Sequence, residues 1–403
     1  MRRYHSGADF TRAQSIAELA EMARRRLPHF AWEYLQGGAE DELTLRRNRQ
    51  AFADIGFVPR TLVACNAPVT ERQMLGRRVP LPMAIAPTGY NAMLYRDADI
   101  HLARAATERG LPFGLSTVST SSMEEVVSAV PGVDLWFQLY CMRDPKIQTD
   151  LLKRALAVGC TTLILTSDAS LLGNREWDRR NFSKPRHLTL RNKLDVLAHP
   201  RWMQQALWPR GMPTLGNMSP YLPPEARNAA GAAHFFGSQM STELDWTALA
   251  TLREQWPHRL VLKGVQHSAD AQKAIELGVD GIVVTNHGGR QLDGAPASLD
   301  CLSRIVDAVQ GRASVLLDSG VRRGTDILKA CALGADGVLL GRATLYGVAV
   351  GGQAGVGHAL DLLARELRLA LSLLGQPDIN QLSHEWLQPF TPSYPQLVSS
   401  DLP

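Results

Sequence analysis

The stretch TNHGGRQLDG (285–294) follows the apolar run GIVV and places His287 and Arg290 two and five residues behind Thr285. A turn at that point can aim both side chains into one pocket. Imidazole titrates close to neutral pH, so His287 is the candidate general base, a role that contributes about 10²–10⁴ in rate. Asp168, which ends the run TTLILTSD (161–168), could hold the other ring nitrogen and stabilise the imidazolium after proton transfer. Arg290 adds a planar guanidinium shaped for a carboxylate or phosphate. The implied chemistry is proton removal from an anionic substrate.

These residues need a scaffold that brings distant strand ends together. Eight short apolar runs recur: LPMAIAPTG (81–89), LPFGLST (111–117), DLWFQLY (134–140), TTLILTSD (161–168), RLVLKG (259–264), DGIVVTNHGG (280–289), ASVLLDSG (313–320) and DGVLLGR (336–342). They alternate with helical patterns such as SADAQKAIELG (268–278) and GTDILKACALG (324–334), which predicts parallel strands closing into a (β/α)8 TIM barrel. Polar groups end nearly every run: Thr88, Ser116, Gln138, Tyr140, Thr166, Asp168, Lys263, His287, Arg290, Asp318 and Arg342. Each strand-end Thr or Asp, taken singly, has a helix cap as its ordinary role. Together they predict an active site, because barrel enzymes build theirs on the C-terminal face.

Neither G-x-G-x-x-G nor G-x-x-x-x-G-K-[ST] occurs, so phosphate must be held otherwise. The loops after strands seven and eight read DSGVRRGTD and LLGRAT, and offer Ser319, Gly320, Gly341, Arg322 and Arg342 to a phosphorylated cofactor. The alternative use of these arginines is pairing with neighbouring carboxylates.

The chain of 403 residues is read as a single barrel domain, 1–403, with two additions. Residues 1–79 form an N-terminal helical extension, in which SIAELAEMARRRLPHFAWEYLQGG reads as one amphipathic stretch stopping at Gly37 and Gly38. Residues 172–245 form a long insertion after strand four, and its second half, PPEARNAAGAAHFFGSQMS, looks like low complexity. A loop of that length is functional or disordered.

Apolar residues at 45% and charged residues at 20% fit a folded globular enzyme, and a net charge of +4 is too small to imply a nucleic-acid partner. Five scattered cysteines without a C-x-x-C pair suggest neither a disulfide framework nor a zinc site, so no metal is expected. The N-terminal stretch lacks an apolar signal core, and no apolar run is long enough to span a membrane.

With TNHGGRQLD, DSGVRRGTDILKACALG, LWFQLY, IAPTG and YLQGGAEDELTLRRNRQAF in hand, the chain resembles the FMN-dependent α-hydroxy-acid dehydrogenases and oxidases from about residue 15 to 385. The likeness is greatest to the branch acting on (S)-mandelate, through YLQGGAEDE, IAPTGYN, LAHPRW, GRATLYG and the long insertion. The resemblance implies that Tyr34 binds the substrate hydroxyl, that Tyr140 touches substrate and flavin, and that Arg175 and Arg290 clamp the carboxylate. It assigns Pro87, Thr88, Gly89, Ser116, Gln138 and Thr166 to the flavin ring, with Thr285 helping to seat it. Lys263 would neutralise the reduced ring, Asp318 would hold the ribityl chain, and Arg322, Gly341 and Arg342 would hold the phosphate. His287 would take a proton from the 2-hydroxy acid as two electrons pass to FMN, by a carbanion or a hydride route.

The implied reaction is (S)-mandelate to benzoylformate; the alternatives are an L-lactate dehydrogenase or an oxygen-using oxidase releasing hydrogen peroxide. Gly89, where many oxidases of the family carry alanine, points to a dehydrogenase. In the insertion, Lys184, Arg186, Arg191, Lys193, Arg201 and Arg210 outnumber Asp195 and interleave with Leu190, Leu194, Leu197, Trp202, Leu207 and Trp208. That mixture suits an interfacial anchor, hence a peripheral protein on the cytoplasmic side of the inner membrane that passes electrons to quinone. The other readings of the segment are a flap over the barrel mouth and a subunit contact. The family also implies a homotetramer. A different phosphate-binding barrel would need a catalytic cysteine or a diphosphate site, and a non-catalytic sensor would carry no flavin.

Overall fold

Every one of the eight apolar runs is a strand: β1 (Met83–Thr88), β2 (Phe113–Ser116), β3 (Leu135–Leu139), β4 (Thr162–Thr166), β5 (Arg259–Val265), β6 (Gly281–Val284), β7 (Ser314–Asp318) and β8 (Gly337–Leu340). In the computed structural model, which describes residues 5, 7–184, 187–209 and 211–390, these strands close into one parallel barrel. Closure runs through Val338 opposite Met83, and Val261 lies opposite Ile164 between β5 and β4. The fold is the (β/α)8 barrel that the alternation predicts.

The strand period of two explains which residues reach the site. Ala84, Ala86, Trp136, Ile164, Val261, Val283, Leu316 and Leu339 form one buried cluster that fills the barrel interior. Two residues further along, on the same inward face, stand Thr88, Gln138, Thr166, Lys263, Thr285, Asp318 and Gly341. The apolar layer therefore ends at the C-terminal mouth in a layer of polar groups. Met74, Leu75 and Val79 join the cluster from below.

The N-terminal extension departs from its predicted form in two ways. The amphipathic stretch is two helices, α1 (Ile16–Arg26) and α2 (His29–Gln36). Leu27 and Pro28 between them are extended, because proline has no N–H to donate and biases the residue before it away from helix. The extension is also not wholly helical. After α3 (Leu43–Ala53), Ile55–Phe57 pairs with Leu387–Pro389, and a hairpin of Arg72–Met74 with Arg77–Val79 supplies the three side chains that plug the barrel floor.

Within the insertion, α4 (Glu176–Arg179), α5 (Leu190–Leu197) and α6 (Ala229–Gln239) are ordered helices. The stretch that reads as low complexity is α6, capped by Asn228 accepting from the Gly231 N–H at 2.9 Å. Alanine-rich composition favours helix once tertiary contacts hold its ends. Past β8 the chain enters α7 (Arg342–Leu374), kinked at Gly351 and Gly352, whose dihedrals are not helical. No helix of the described residues is long and apolar enough to cross a membrane.

Candidate active site

His287 sits at φ +58° in the turn after β6, a left-handed conformation that costs energy for a residue other than glycine. Gly288 and Gly289 follow at φ +68° and +74°, and a side chain on Gly289 would meet the Leu45 backbone at 2.7 Å. The turn is therefore packed tightly against α3. Asn286, behind it, exchanges hydrogen bonds of 2.8 Å with Asn48 of α3. The same motif returns the support: Asp293 accepts from the Leu43 and Thr44 N–H groups at 3.1 and 2.8 Å. Glu42, the preceding residue of α3, gives no cap of its own, so the aspartate of the motif acts as its N-cap from a distant loop.

The geometry brings the predicted base and its orienter together. His287 Nδ1 lies 2.9 Å from Asp168 Oδ1, which leaves Nε2 to face the cavity. Burial lowers the imidazole pKa below its ordinary value, the Asp168 carboxylate opposes that, and Lys263 adds to the lowering. The ring is thus neutral and able to accept a proton at neutral pH. Burial would raise the Asp168 pKa, but His287, by its hydrogen bond and by its charge once protonated, and the Lys263 charge overcome it, so the carboxyl lies below its ordinary value. Lys263, buried at 4% exposure, pairs with Asp318 at 3.3 Å, which compensates a charge that would otherwise be costly to desolvate.

Arg290 and Arg175 come from the loops after β6 and β4, which meet at the mouth. Arg290 donates to the carbonyls of Tyr34 and Gly37 at 2.9 and 2.6 Å and stacks on the Tyr34 ring at 5.3 Å. Arg175 donates to the Arg290 carbonyl and to Gln291 Oε1, each at 3.2 Å. Both cations donate to carbonyl and amide oxygens, and the Asp178 carboxylate on the cavity wall attracts both. Burial, then repulsion from Arg175 and Arg342, brings the Arg290 pKa down to about 9, and a bound anion would relieve that strain.

A cavity of about 400 Å³ joins these groups, within the range of small-molecule sites. Its lining includes Tyr34, Pro87, Thr88, Gly89, Ser116, Tyr140, Arg175, Lys263, His287, Arg290, Asp318, Ser319, Gly320, Arg322, Gly341 and Arg342, all predicted site residues. Four other predicted residues stand behind the wall. Asp168 orients His287; Gln138 accepts from Ser116 and donates to Thr166 at 2.8 and 2.9 Å; Thr285 hydroxyl lies 3.2 Å from Asp318 Oδ2. Tyr34 hydroxyl donates to the Gly89 carbonyl at 3.3 Å.

Several site residues escaped sequence reasoning. Gln291, inside the motif that carries the base, donates to the Asp168 and Leu171 carbonyls at 2.7 Å each and accepts from the Gly173 N–H at 3.1 Å. It ties the loop after β4 to the loop after β6, and its position next to Arg290 was the available signal. Asp178 of α4 lines the cavity, where burial raises its pKa against the pull of Arg290 and Arg175. Ala233, Phe236, Gly237 and Met240 come from the insertion, a segment whose approach to the mouth no local pattern reveals.

Known proteins match this arrangement. The model of the FMN-dependent dehydrogenases covers residues 23–389. The chain belongs to that family. It is 42% identical to (S)-mandelate dehydrogenase of Pseudomonas putida, over 93% of each chain, and 38% identical to L-lactate dehydrogenase of Xanthobacter autotrophicus, over 93% of this chain and 96% of that one. Among solved structures, monotopic membrane protein (S)-mandelate dehydrogenase superposes with a TM-score of 0.89 at 40% identity, covering 94% of this chain and all of that one. The protein is a family member whose cofactor is FMN, and its relatives act on different 2-hydroxy acids.

The residues present fit that cofactor. Arg342 donates to the carbonyls of Leu35, Gly288 and Gly37 at 2.9–3.0 Å, and Arg322 donates to the Val321 carbonyl and stacks on the Tyr346 ring at 5.5 Å. Two guanidinium groups at the end of the cavity therefore have carbonyls and a ring for partners, the setting a phosphate would complete. Burial, with Arg322 nearby, lowers the Arg342 pKa to about 10. Gly320 at φ +90° has no room for a side chain, since a Cβ would meet the Asn48 carbonyl at 2.3 Å.

Proposed function

We propose that the protein oxidises (S)-mandelate to benzoylformate, with FMN as cofactor and a membrane quinone as electron acceptor. The observation that carries this reading is that the His287–Asp168 dyad and two guanidinium groups meet at one cavity mouth. Arg290 and Arg175 bind the substrate carboxylate, and their planar faces orient the α-carbon. Tyr34 and Tyr140 meet the hydroxyl side, both phenols held protonated by burial. His287 Nε2 takes the proton, and Asp168 stabilises the imidazolium that results. Bound FMN would supply the two-electron acceptor, and Lys263, Ser116, Thr88 and Gly89 would hold its ring. Gln138, Thr166 and Thr285 brace that wall, Asp318 holds the ribityl chain, and Ser319, Gly320, Arg322, Gly341 and Arg342 hold the phosphate. Both the carbanion and the hydride route use His287 in this position.

The test is anaerobic mixing of the yellow protein with (S)-mandelate or L-lactate while the visible spectrum is followed. Bleaching by mandelate is expected. Bleaching by lactate alone would transfer the assignment to L-lactate, the reading that the 38% identical relative supports. No bleaching by either would refute a 2-hydroxy-acid substrate of this size, and peroxide release in air would replace quinone by oxygen.

The insertion supports peripheral membrane association, which we propose to be on the cytoplasmic side of the inner membrane. Leu190, Leu194 and Leu197 are exposed along one face of α5, and Trp208, Arg191, Lys193 and Arg201 of the same insertion are exposed too. Two predicted anchors need correction. Trp202 is buried and donates its indole N–H to the Met93 carbonyl at 2.8 Å, so it packs the insertion onto the barrel; Leu207 is half-buried against the core. Asp195 accepts from the His29 N–H at 2.6 Å, tying α5 to the start of α2. Arg186 and Arg210, and the side chain of Lys184, lie outside the described residues. Co-sedimentation with anionic vesicles at low salt, reduced by Leu194→Asp, tests this attachment; a fully soluble protein refutes it. The whole chain would act as one domain and assemble as a homotetramer, which sedimentation equilibrium would show.

A further inference from the structure

The insertion contributes more to the cavity than a cover. Ala233, Phe236 and Gly237, spaced i, i+3 and i+4 on one face of α6, line it, and Met240, the extended residue that caps the helix, joins them. This face of α6 and its capping residue therefore form one wall of the site. The wall is anchored at its C-terminal end to the segment that follows Tyr140. Met240 bridges Met142, the Ser241 N–H donates to the Cys141 carbonyl at 2.9 Å, and the Arg143 N–H to the Gln239 carbonyl at 2.6 Å. Phe236 stands edge-on to the Tyr140 ring with centroids 5.6 Å apart.

The two ends of this wall differ in size. Phe236 and Met240 are buried and apolar, and both are suited to contact an aromatic ring. Ala233 and Gly237, on the same face, carry almost no side chain, and a Cβ built on Gly237 would meet nothing within 4 Å. With the carboxylate on Arg175 and Arg290 and the hydroxyl on His287, the third substituent of the α-carbon is left to face α6. A methyl group would leave this space largely empty, whereas an aryl ring would fill it.

We infer that this face of α6, together with its capping residue Met240, selects the α-substituent, with Phe236 and Met240 contacting an aryl ring and Ala233 and Gly237 leaving it room. The inference rests on the 2-hydroxy-acid reading above and deepens it by naming the residues that select the aryl substituent. It also makes the insertion a specificity element as well as a surface.

The test is steady-state kinetics of the FMN-loaded, full-length Gly237→Leu and Ala233→Leu variants with (S)-mandelate and L-lactate and an artificial acceptor. Filling the slot is expected to lower the mandelate-to-lactate ratio of kcat/KM by about tenfold or more, the scale on which pockets discriminate by a few carbons. The loss should fall mainly on KM for mandelate. Gly237 is exposed, and a Cβ there meets none of the described residues within 4 Å, so that variant should fold and keep its yellow colour. Wild type bleached by mandelate, with an unchanged ratio in both variants, overturns the inference and leaves the proposed function standing. Wild type bleached by lactate alone overturns both.

Discussion

Asp168→Asn isolates the charge behind the base. The carboxylate approaches the imidazole at 2.9 Å through Oδ1, while Oδ2 is buried without a hydrogen-bond partner among the described residues. Asparagine can keep Oδ1 as acceptor, so geometry and tautomer survive and the negative charge is lost. Two unit charges about 4 Å apart interact by about 4 kcal/mol at an effective dielectric constant near 20. That interaction exists only once His287 has become cationic, so its loss falls on the proton-transfer step. The amide dipole restores part of it, which leaves an expected fall of about 10²–10³ in the rate of substrate oxidation. Removing Asp168 also removes the influence that raises the His287 pKa, while burial and Lys263 continue to lower it. The acid limb of the rate profile should therefore move to lower pH in the variant. Anaerobic stopped-flow measurement of bleaching by substrate between pH 5 and 8 reads both effects. A rate within about threefold of wild type, or a limb moved to higher pH, would refute the role assigned to the carboxylate.

Three further outcomes follow from particular contacts. His287→Ala should abolish turnover while leaving the protein yellow, because the base is lost and the phosphate cradle is not; turnover near wild type, measured with an artificial acceptor, would remove the role. Gln291→Ala deletes the link between the loops after β4 and β6 and leaves Arg175 without one of its partners, so KM for the substrate should rise about tenfold with a thermal destabilisation of about 1–3 kcal/mol; unchanged KM and Tm would show the clamp to be idle. Asp293→Ala removes the cap of α3 and should cost about 1 kcal/mol in denaturant unfolding, with kcat affected far less than by Asp168→Asn.

Stability should share the pH dependence of the buried imidazole. Its folded pKa lies below its unfolded value, so between the two the unfolded chain binds more protons. The contribution of His287 is complete above an unfolded value of about 6.5 and is lost as the pH falls towards the folded one. Chemical denaturation of wild type should show this slope and His287→Ala should show less of it.

The sequence by itself determined the barrel and most of its mouth. Period-two alternation is a local property, and in a parallel barrel every strand end faces the same side. Thr88, Gln138, Thr166, Lys263, Thr285 and Asp318 could therefore be placed at one site without knowing a single contact. Pro28 also announces its helix break locally, although the amphipathic pattern around it reads as continuous. Local pattern could not reveal what depends on segments far apart in the chain. Asp293 capping α3, Gln291 bridging two loops, Trp202 buried against Phe30 and the hairpin plugging the floor each satisfy a group supplied by a distant element. The wall built by α6 is the clearest case. Alanine and glycine declare no face of their own, and only packing decides which side of that helix looks into the cavity.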